Sequence, residues 1–461
     1  MPIVCGVMVP HPPIAIPEIG GDEVNRIRDT LDSYDRIARK IEEIRPDTII
    51  LTSPHSVMYS DYFHISPGKG ERGDLSRFRH PELSFDVSYD EEFTDALSER
   101  AMKIGMPAGT DGAGRNPLLN DHGTMVPLYF INRRYRDYKL VRIGLSGLSL
   151  EIHECFGRMI RSVADECFPQ KKIVFVASGD LSHCQKEDGP YGYKAAGPRY
   201  DEKLMEVMGR GALSELKEFD EDLLGEAEEC GHRSFTIMAG VFHKEKIHPE
   251  ILSHEATFGV GYGFGIFEPE PSASGDEIDK TETKEKNATD PYVELAVSTV
   301  NAYIRGGRPE EFRDALIAKA PEEMLEKRAG AFVSIHECGM LRGCIGTIGP
   351  TCDNLAEEIL QNAISASTKD PRFTPVTEEE LPSLEISVDV LDEPEAVDSP
   401  SELDVKRYGV IVESGYKRGL LLPNLDGVDT IEEQIAIAKR KAGIREGEKV
   451  SLKRFEVVRH E

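Results

Sequence analysis

The sequence predicts two domains. The first is an α/β domain with a mostly parallel central sheet, and the second an α+β domain with an antiparallel sheet. Three observations carry this. Through the first half, short apolar runs alternate with amphipathic helical segments, the pattern of a parallel sheet covered on both faces. A polar stretch, EPEPSASGDEIDKTETKEKNATD (268–290), then interrupts the chain with almost no apolar residues. Beyond it, alternation of apolar and polar residues marks antiparallel strands. A length of 461 residues also exceeds what one hydrophobic core usually organises.

The elements follow in order. IVCGVMV (3–9) reads as a buried strand, ended by Pro12 and Pro13, which cannot donate to a ladder. Residues 22–44 read as a helix, with Ile27, Leu31, Tyr34, Ile37, Ile41 and Ile44 three or four apart. DTIILTS, KLVRIGLS and KKIVFVAS are further strands. A helix begins near Leu150, and YDEKLMEVMGRG and SFTIMAGVFH are helical. The glycine-rich EILSHEATFGVGYGFGIFE is expected to add antiparallel edge strands. The composition of 268–290 cannot bury enough surface to order itself, so it is read as a flexible linker between domains 1–267 and 291–461. In the second domain PYVELAVSTVNAYIRGG, TCDNLAEEILQNAISAST and TIEEQIAIAKRKAGI read as helices. AFVSIHECGMLRGCIGTIG reads as a hairpin turning at Cys338-Gly339. SLEISVDVLDEPEAV and YGVIVESGYKRGLLLP read as antiparallel strands.

Net charge is −28, which disfavours nucleic acid and anionic membrane surfaces as partners. No leader or membrane-spanning run is read. The eight cysteines (5, 155, 167, 184, 230, 338, 344, 352) are scattered without a CxxC, as expected for a reducing cytoplasm.

Chemistry is predicted where strands end. His11 follows the first strand, His55 the second and His183 another, and ligands of open α/β sheets sit at the carboxyl ends of strands. His122 joins them on a loop beside Asp121, which is expected to orient its ring. EAEECGHRS adds Glu228, Glu229, Cys230 and His232 before a helix. Taken singly, each histidine also fits a packing or solvated role. Their joint placement suits a divalent metal: Fe(II) first, with Zn, Mn or Cu as competitors. His64, His80, His153, His243 and His248 lack such placement and are read as surface or packing residues.

The motifs VPHPP, SPHS, DHG, SGDLSH and GVGYGFGIFE resemble, in order, the class III extradiol dioxygenases of LigB type and the related Memo proteins. The resemblance implies a metal held by His11, His55 and Glu229, with Cys230 as the alternative third ligand, because Memo proteins carry a Cys-Gly there. It implies His183 as acid/base and His122 as a contact to substrate or oxygen. The expected activity is ring opening of a catechol-like small aromatic diol with O2. Two alternatives accompany it: a Memo-like redox or modification protein working with a radical-SAM partner protein, and a binding module without turnover. In the second domain LRGCIGTIGP, KDPRF and LLLPNLDGV resemble the AMMECR family. There Cys344 is a candidate nucleophile with Arg342 near it, against a packing role for a small cysteine between glycines. KDPRF reads as a structural turn, since Asp-Pro breaks a helix, with Lys369 and Arg372 as candidate anion ligands in the alternative.

Overall fold

A computed structural model describes residues 1–112, 121–270, 290–337, 339–424, 428–445 and 447–461. The chain divides into two compact units, Met1–Asp276 and Glu277–Glu461. Most of the segment read as a linker, and Cys338 of the expected turn, lie outside the described residues.

The first unit is built on a six-stranded sheet in the order Lys139–Gly144, Thr48–Ser53, Ile173–Ser178, Ile3–Val9, Tyr262–Pro269, Ile247–Glu255. The first four run parallel and the last two are antiparallel, as the glycine-rich closing segment predicts. Thr48–Ser53 and Ile173–Ser178 are buried along their whole length, which is why they read as unbroken apolar runs. On one face, Val7, Val9, Leu51 and Val176 pack with Tyr34, Ile37 and Ile41 of the Arg28–Ile44 helix and with Met125 and Leu128 of the His122–Ile131 helix. The helices Leu150–Cys167 and His232–Val241 pack on each other, and the second lies against the strands Ile3–Val9 and Ile173–Ser178. The exits of Ile3–Val9, Thr48–Ser53 and Ile173–Ser178 open on the same edge.

The helix expected over 22–44 starts later, at Arg28. Residues 21–26 form a tighter 3-10 turn, and Ile27 breaks the run with φ −125° and ψ 53°. The break is tertiary in origin: Ile27 is fully buried, and the orphan Thr30 N–H donates to Glu255 of an edge strand at 2.8 Å.

The second unit holds two antiparallel sheets. One runs Met340–Gly346, Ala331–Glu337, Leu384–Leu391, Val457–His460; the other runs Glu395–Val397, Ser451–Phe455, Gly409–Ser414, Lys417–Leu421. Ala331, Val333 and Ile335 share a core with Ile359 and Ala363 of the Leu355–Thr368 helix. Among the described residues no helix is long and apolar enough to cross a membrane.

Two glycines set how closely the Leu150–Cys167 and His232–Val241 helices approach. A Cβ on Gly157 would lie 2.0 Å from the Ile237 carbonyl oxygen, and one on Gly240 would lie 1.8 Å from that of Glu154. Backbone cannot yield as a flexible side chain does. Gly240→Ala is therefore expected to lower unfolding free energy by about 1–3 kcal/mol through overpacking, read as a shifted urea midpoint at unchanged m.

Candidate metal centre

His11 leaves the Ile3–Val9 strand fully buried, and its surroundings fix its tautomer. Pro127 lies inside the His122–Ile131 helix and has no N–H to give to the carbonyl four residues back, which belongs to Gly123. That carbonyl instead accepts the Ser178 hydroxyl proton at 2.6 Å. With its only proton committed, Ser178 Oγ accepts at 2.9 Å from His11 Nδ1. His11 thus carries its proton on Nδ1 and turns the lone pair of Nε2 toward its neighbours.

Its neighbours come from a strand exit, a helix start and the turn before another helix. The His11 ring centroid lies 4.8 Å from that of His55 and 5.1 Å from that of His122, edge to face in both cases. His55 and His122 stack at 4.0 Å. Nε2 of His11 is 3.5 Å from Cys230 Sγ and 3.8 Å from Asp180 Oδ2. Two overlapping sets result, His11–His55–His122 and His11–Asp180–Cys230. Within each, one potential ligand atom per residue lies within 4.8 Å of the others. A metal with ligand bonds of ~2.1 Å holds such atoms about 3–4 Å apart, so small side-chain movements complete either set.

The electrostatics suit a cation. Burial and the facing imidazoles hold His122 down at about 3, and burial and neighbouring His183 lower His55. Burial, then His55, lowers His11. The rings are neutral, the form that binds metal. Burial raises the Asp180 carboxyl although it accepts the His11 backbone N–H at 2.7 Å. Burial, then Asp180 and Glu229, raises the Cys230 thiol. A bound cation would reverse both tendencies.

His183 stands apart from these sets but within their field, contributing to the lowered values of His11 and His55. Its Nδ1 donates to the carbonyl oxygen of Glu228, a residue in the left-handed region at φ 51°. Nε2 is left free to take a proton. The exposed Tyr191 ring tilts over the imidazole at 4.9 Å.

The structure brings together His11, His55, His122 and Cys230, and places Glu229 elsewhere. One Glu229 oxygen accepts the His232 backbone N–H at 2.6 Å, so this carboxylate caps the His232–Val241 helix and belongs to neither ligand set. The carboxylate in the cluster is Asp180, which the sequence reading passed over although it lies at a strand exit inside SGDLSH. Asp121 does not orient the His122 ring. It caps the His122–Ile131 helix through Thr124 N–H at 2.8 Å and pairs with buried Arg142 at 2.5 Å. His232 is pinned by Tyr200 at 3.2 Å and by the Leu216 carbonyl at 2.8 Å, a packing role. Phe63 stacks on Phe156 in the core and is unavailable to a substrate.

In the second unit Arg342 is buried and turned to Glu380 at 2.6 Å and to the Thr374 carbonyl at 2.8 Å. Arg372 instead reaches the Cys344 backbone, donating from Nη2 to its carbonyl at 3.3 Å.

Two outcomes follow from this centre. Ser178→Ala removes the acceptor that holds the His11 tautomer, so Zn(II) affinity should fall about 10–100-fold in a chelator-competition titration. His122 is held at about 3, and His153 and His232 at about 4, chiefly by burial, whereas unfolded they titrate near 6.5. Below pH 6.5 the unfolded chain binds protons that the native rings refuse. Stability of the metal-free protein, full above that pH, should fall on acidification toward pH 4 by up to about 1.4 kcal/mol per pH unit for each ring, read from urea midpoints.

Residues 6–265 match the family described as the catalytic LigB subunit of aromatic ring-opening dioxygenase, and residues 293–460 match AMMECR1. Protein CA_C1420 from Clostridium acetobutylicum is 41% identical over 98% of this chain and 98% of its own length. A protein from Thermotoga maritima is 52% identical over 37% of this chain and 97% of its own. Among solved structures, an uncharacterised Pyrococcus horikoshii protein, PH0010, is 31% identical with a TM-score of 0.32, covering 36% of this chain and 88% of that one. An uncharacterised Escherichia coli K12 protein, JW3007, is 15% identical with a TM-score of 0.39, covering 57% and 99%. With a six-stranded sheet whose exits gather three imidazoles, a carboxylate and a thiol, and with a LigB match over more than half its length, the chain belongs to the LigB family and carries an AMMECR1 domain behind it.

Proposed function

We propose that the first unit is a non-haem iron oxidoreductase of the extradiol type that opens a catechol-like ring with O2. The observation that carries the reading is the lone pair of His11 Nε2, fixed by the Ser178 relay and facing neutral imidazoles and a buried carboxylate. This donor set of imidazole and carboxylate fits Fe(II). His11 would hold the ion, with His55 from one of its two sets and Asp180 and Cys230 from the other. The ion would supply Lewis acidity toward the diol oxygens and a place for O2.

The chain's own residues do the rest. His183, with Nδ1 committed to the Glu228 carbonyl, presents Nε2 as the base for a phenolic proton and returns that proton later. His122, packed against His55 and edge-on to Phe78, is positioned to hydrogen-bond developing negative charge on an oxygen. Tyr191 offers a face against which a planar ring can lie.

A second reading rests on Cys230. A thiol 3.5 Å from His11 Nε2 is a soft ligand, which favours Cu(I) or Zn(II) and a redox or modification role, with a radical-SAM protein as partner. Loading the purified chain with Fe(II) under anaerobic conditions, then adding substituted catechols and O2, tests the first reading. Yellow ring-opened products and O2 uptake should appear, and His183→Ala should lower kcat by about 10²–10⁴-fold while iron stays bound. An iron-loaded protein inert to every diol would turn the reading to the second. There, Cys230→Ser should abolish copper uptake and Glu229→Gln should leave it unchanged.

A further inference from the structure

A cleft of about 1170 Å³ in the second unit has no role in the proposed chemistry. Its floor is one face of an antiparallel sheet. Along Ala331–Glu337, Ala331, Val333 and Ile335 are buried in the core, while the alternate residues Phe332, Ser334 and His336 line the cleft. Ser334 pairs with Cys344 on one neighbouring strand and with Ser387 on the other, so three small polar side chains form a row across the sheet. A sheet face turned toward a second layer is ordinarily apolar. Here the polar row lies among apolar Phe332, Leu341 and Ile386, and the cleft is large enough for a small molecule.

The row is flanked by fixed positive charge. Arg459 is held by Asp389 at 2.8 and 3.1 Å, and Arg372 by Asp370 at 2.7 Å. Each uses Nε and Nη2 in that pairing, and among the described residues Nη1 of each makes no hydrogen bond. Lys441 and Arg418 line the same cleft, as do the carboxylates Glu385, Asp389 and Glu461, of which Asp389 is taken up by Arg459.

Cys344 is immobilised between them. Its N–H donates to Asp370 Oδ2 at 2.9 Å, and its carbonyl accepts from Arg372 at 3.3 Å. The Ser334 hydroxyl donates to Sγ at 3.3 Å. The KDPRF segment is therefore the clamp of this cysteine.

We propose that this cleft is a second reactive site, binding a small carboxylate- or phosphate-bearing molecule through Arg372 and Arg459 and placing its electrophilic carbon at Cys344 Sγ. The sulfur forms a bond to that carbon, and the leaving group departs with the electron pair of the broken bond. The thiol proton passes to water or to the His336 imidazole in the same cleft.

Iodoacetate and iodoacetamide test this on the full chain, since they differ in the anion and share the carbon that sulfur attacks while iodide leaves. Modification is followed residue by residue by peptide mass mapping, with exposed Cys167 as internal reference. The iodoacetate-to-iodoacetamide rate ratio at Cys344 should exceed that at Cys167 by at least about tenfold. Inorganic phosphate should slow iodoacetate at Cys344 and leave iodoacetamide unaffected. Arg459→Gln should lower the iodoacetate rate at Cys344 far more than the iodoacetamide rate, collapsing the ratio, and Arg459→Lys should restore part of it. Equal ratios at Cys344 and Cys167, or no competition by phosphate, would overturn the proposal. The phosphate arm needs no substitution, so a variant that fails to fold does not shield it.

Discussion

The candidate metal centre depends on the backbone contact between Gly179 and Gly231. A Cβ on Gly179 would lie 2.0 Å from the Gly231 Cα, so the exit of the Ile173–Ser178 strand and the turn before the His232–Val241 helix touch with no side chain between them. That approach makes Asp180 a hub. Its carbonyl accepts the N–H groups of Cys230 and Gly231 at 3.3 and 3.1 Å, and its own N–H points to Cys230 Sγ at 3.3 Å. Its carboxylate accepts the His11 N–H. Segments 11, 180 and 230, remote in sequence, are thereby locked by backbone hydrogen bonds. The Cys230 backbone is placed by main chain, and the imidazole by the buried side chains of Asp180 and Ser178.

A second constraint sets what the ligands are. The relay from the missing N–H of Pro127, through the Gly123 carbonyl and the Ser178 hydroxyl, to His11 Nδ1 leaves one outcome for the imidazole. A proline in a helix normally costs a hydrogen bond. Here the orphaned carbonyl is satisfied from the sheet, and the orientation it imposes reaches the ligand atom two bonds away. Burial acts in the same direction by keeping His11 neutral, so tautomer and protonation state are both fixed before any ion arrives.

This separates what was legible in the sequence from what was not. The parallel sheet was legible because strands buried on both faces must be apolar throughout, as in Thr48–Ser53. The clustering of His11 and His55 was legible because the strand-exit rule needs only local sequence. Glu229 was misplaced because adjacent residues in a turn point in different directions: Cys230 faces the cluster and Glu229 the helix N–H of His232. Asp180 met the same strand-exit rule and was overlooked beside a histidine in its own motif. The role of Arg342 was misjudged because nearness along a strand says nothing about side-chain partners. A bulge between Ile335 and His336 shifts the register at this hairpin, and Glu380 is distant in sequence.

The two units solve a common problem by related means. A reactive cysteine on a mobile backbone samples many geometries, and each lost degree of freedom must be offset by a bond elsewhere. At Cys230 the backbone N–H is held by a strand-exit carbonyl, and a neighbouring glycine lets the chains touch. At Cys344 the backbone N–H is held by the carboxylate of Asp370, and Gly343 lies where a Cβ would meet the Ala366 carbonyl oxygen at 2.2 Å. The difference lies in what faces the sulfur. Cys230 faces a lone pair on nitrogen and a carboxylate, an environment for a cation. Cys344 faces a hydroxyl donor within the field of two guanidinium groups, an environment for an anion. Similar anchoring in opposite electrostatic surroundings is what the two proposals share: a cation at Cys230 and an anion-bearing molecule at Cys344.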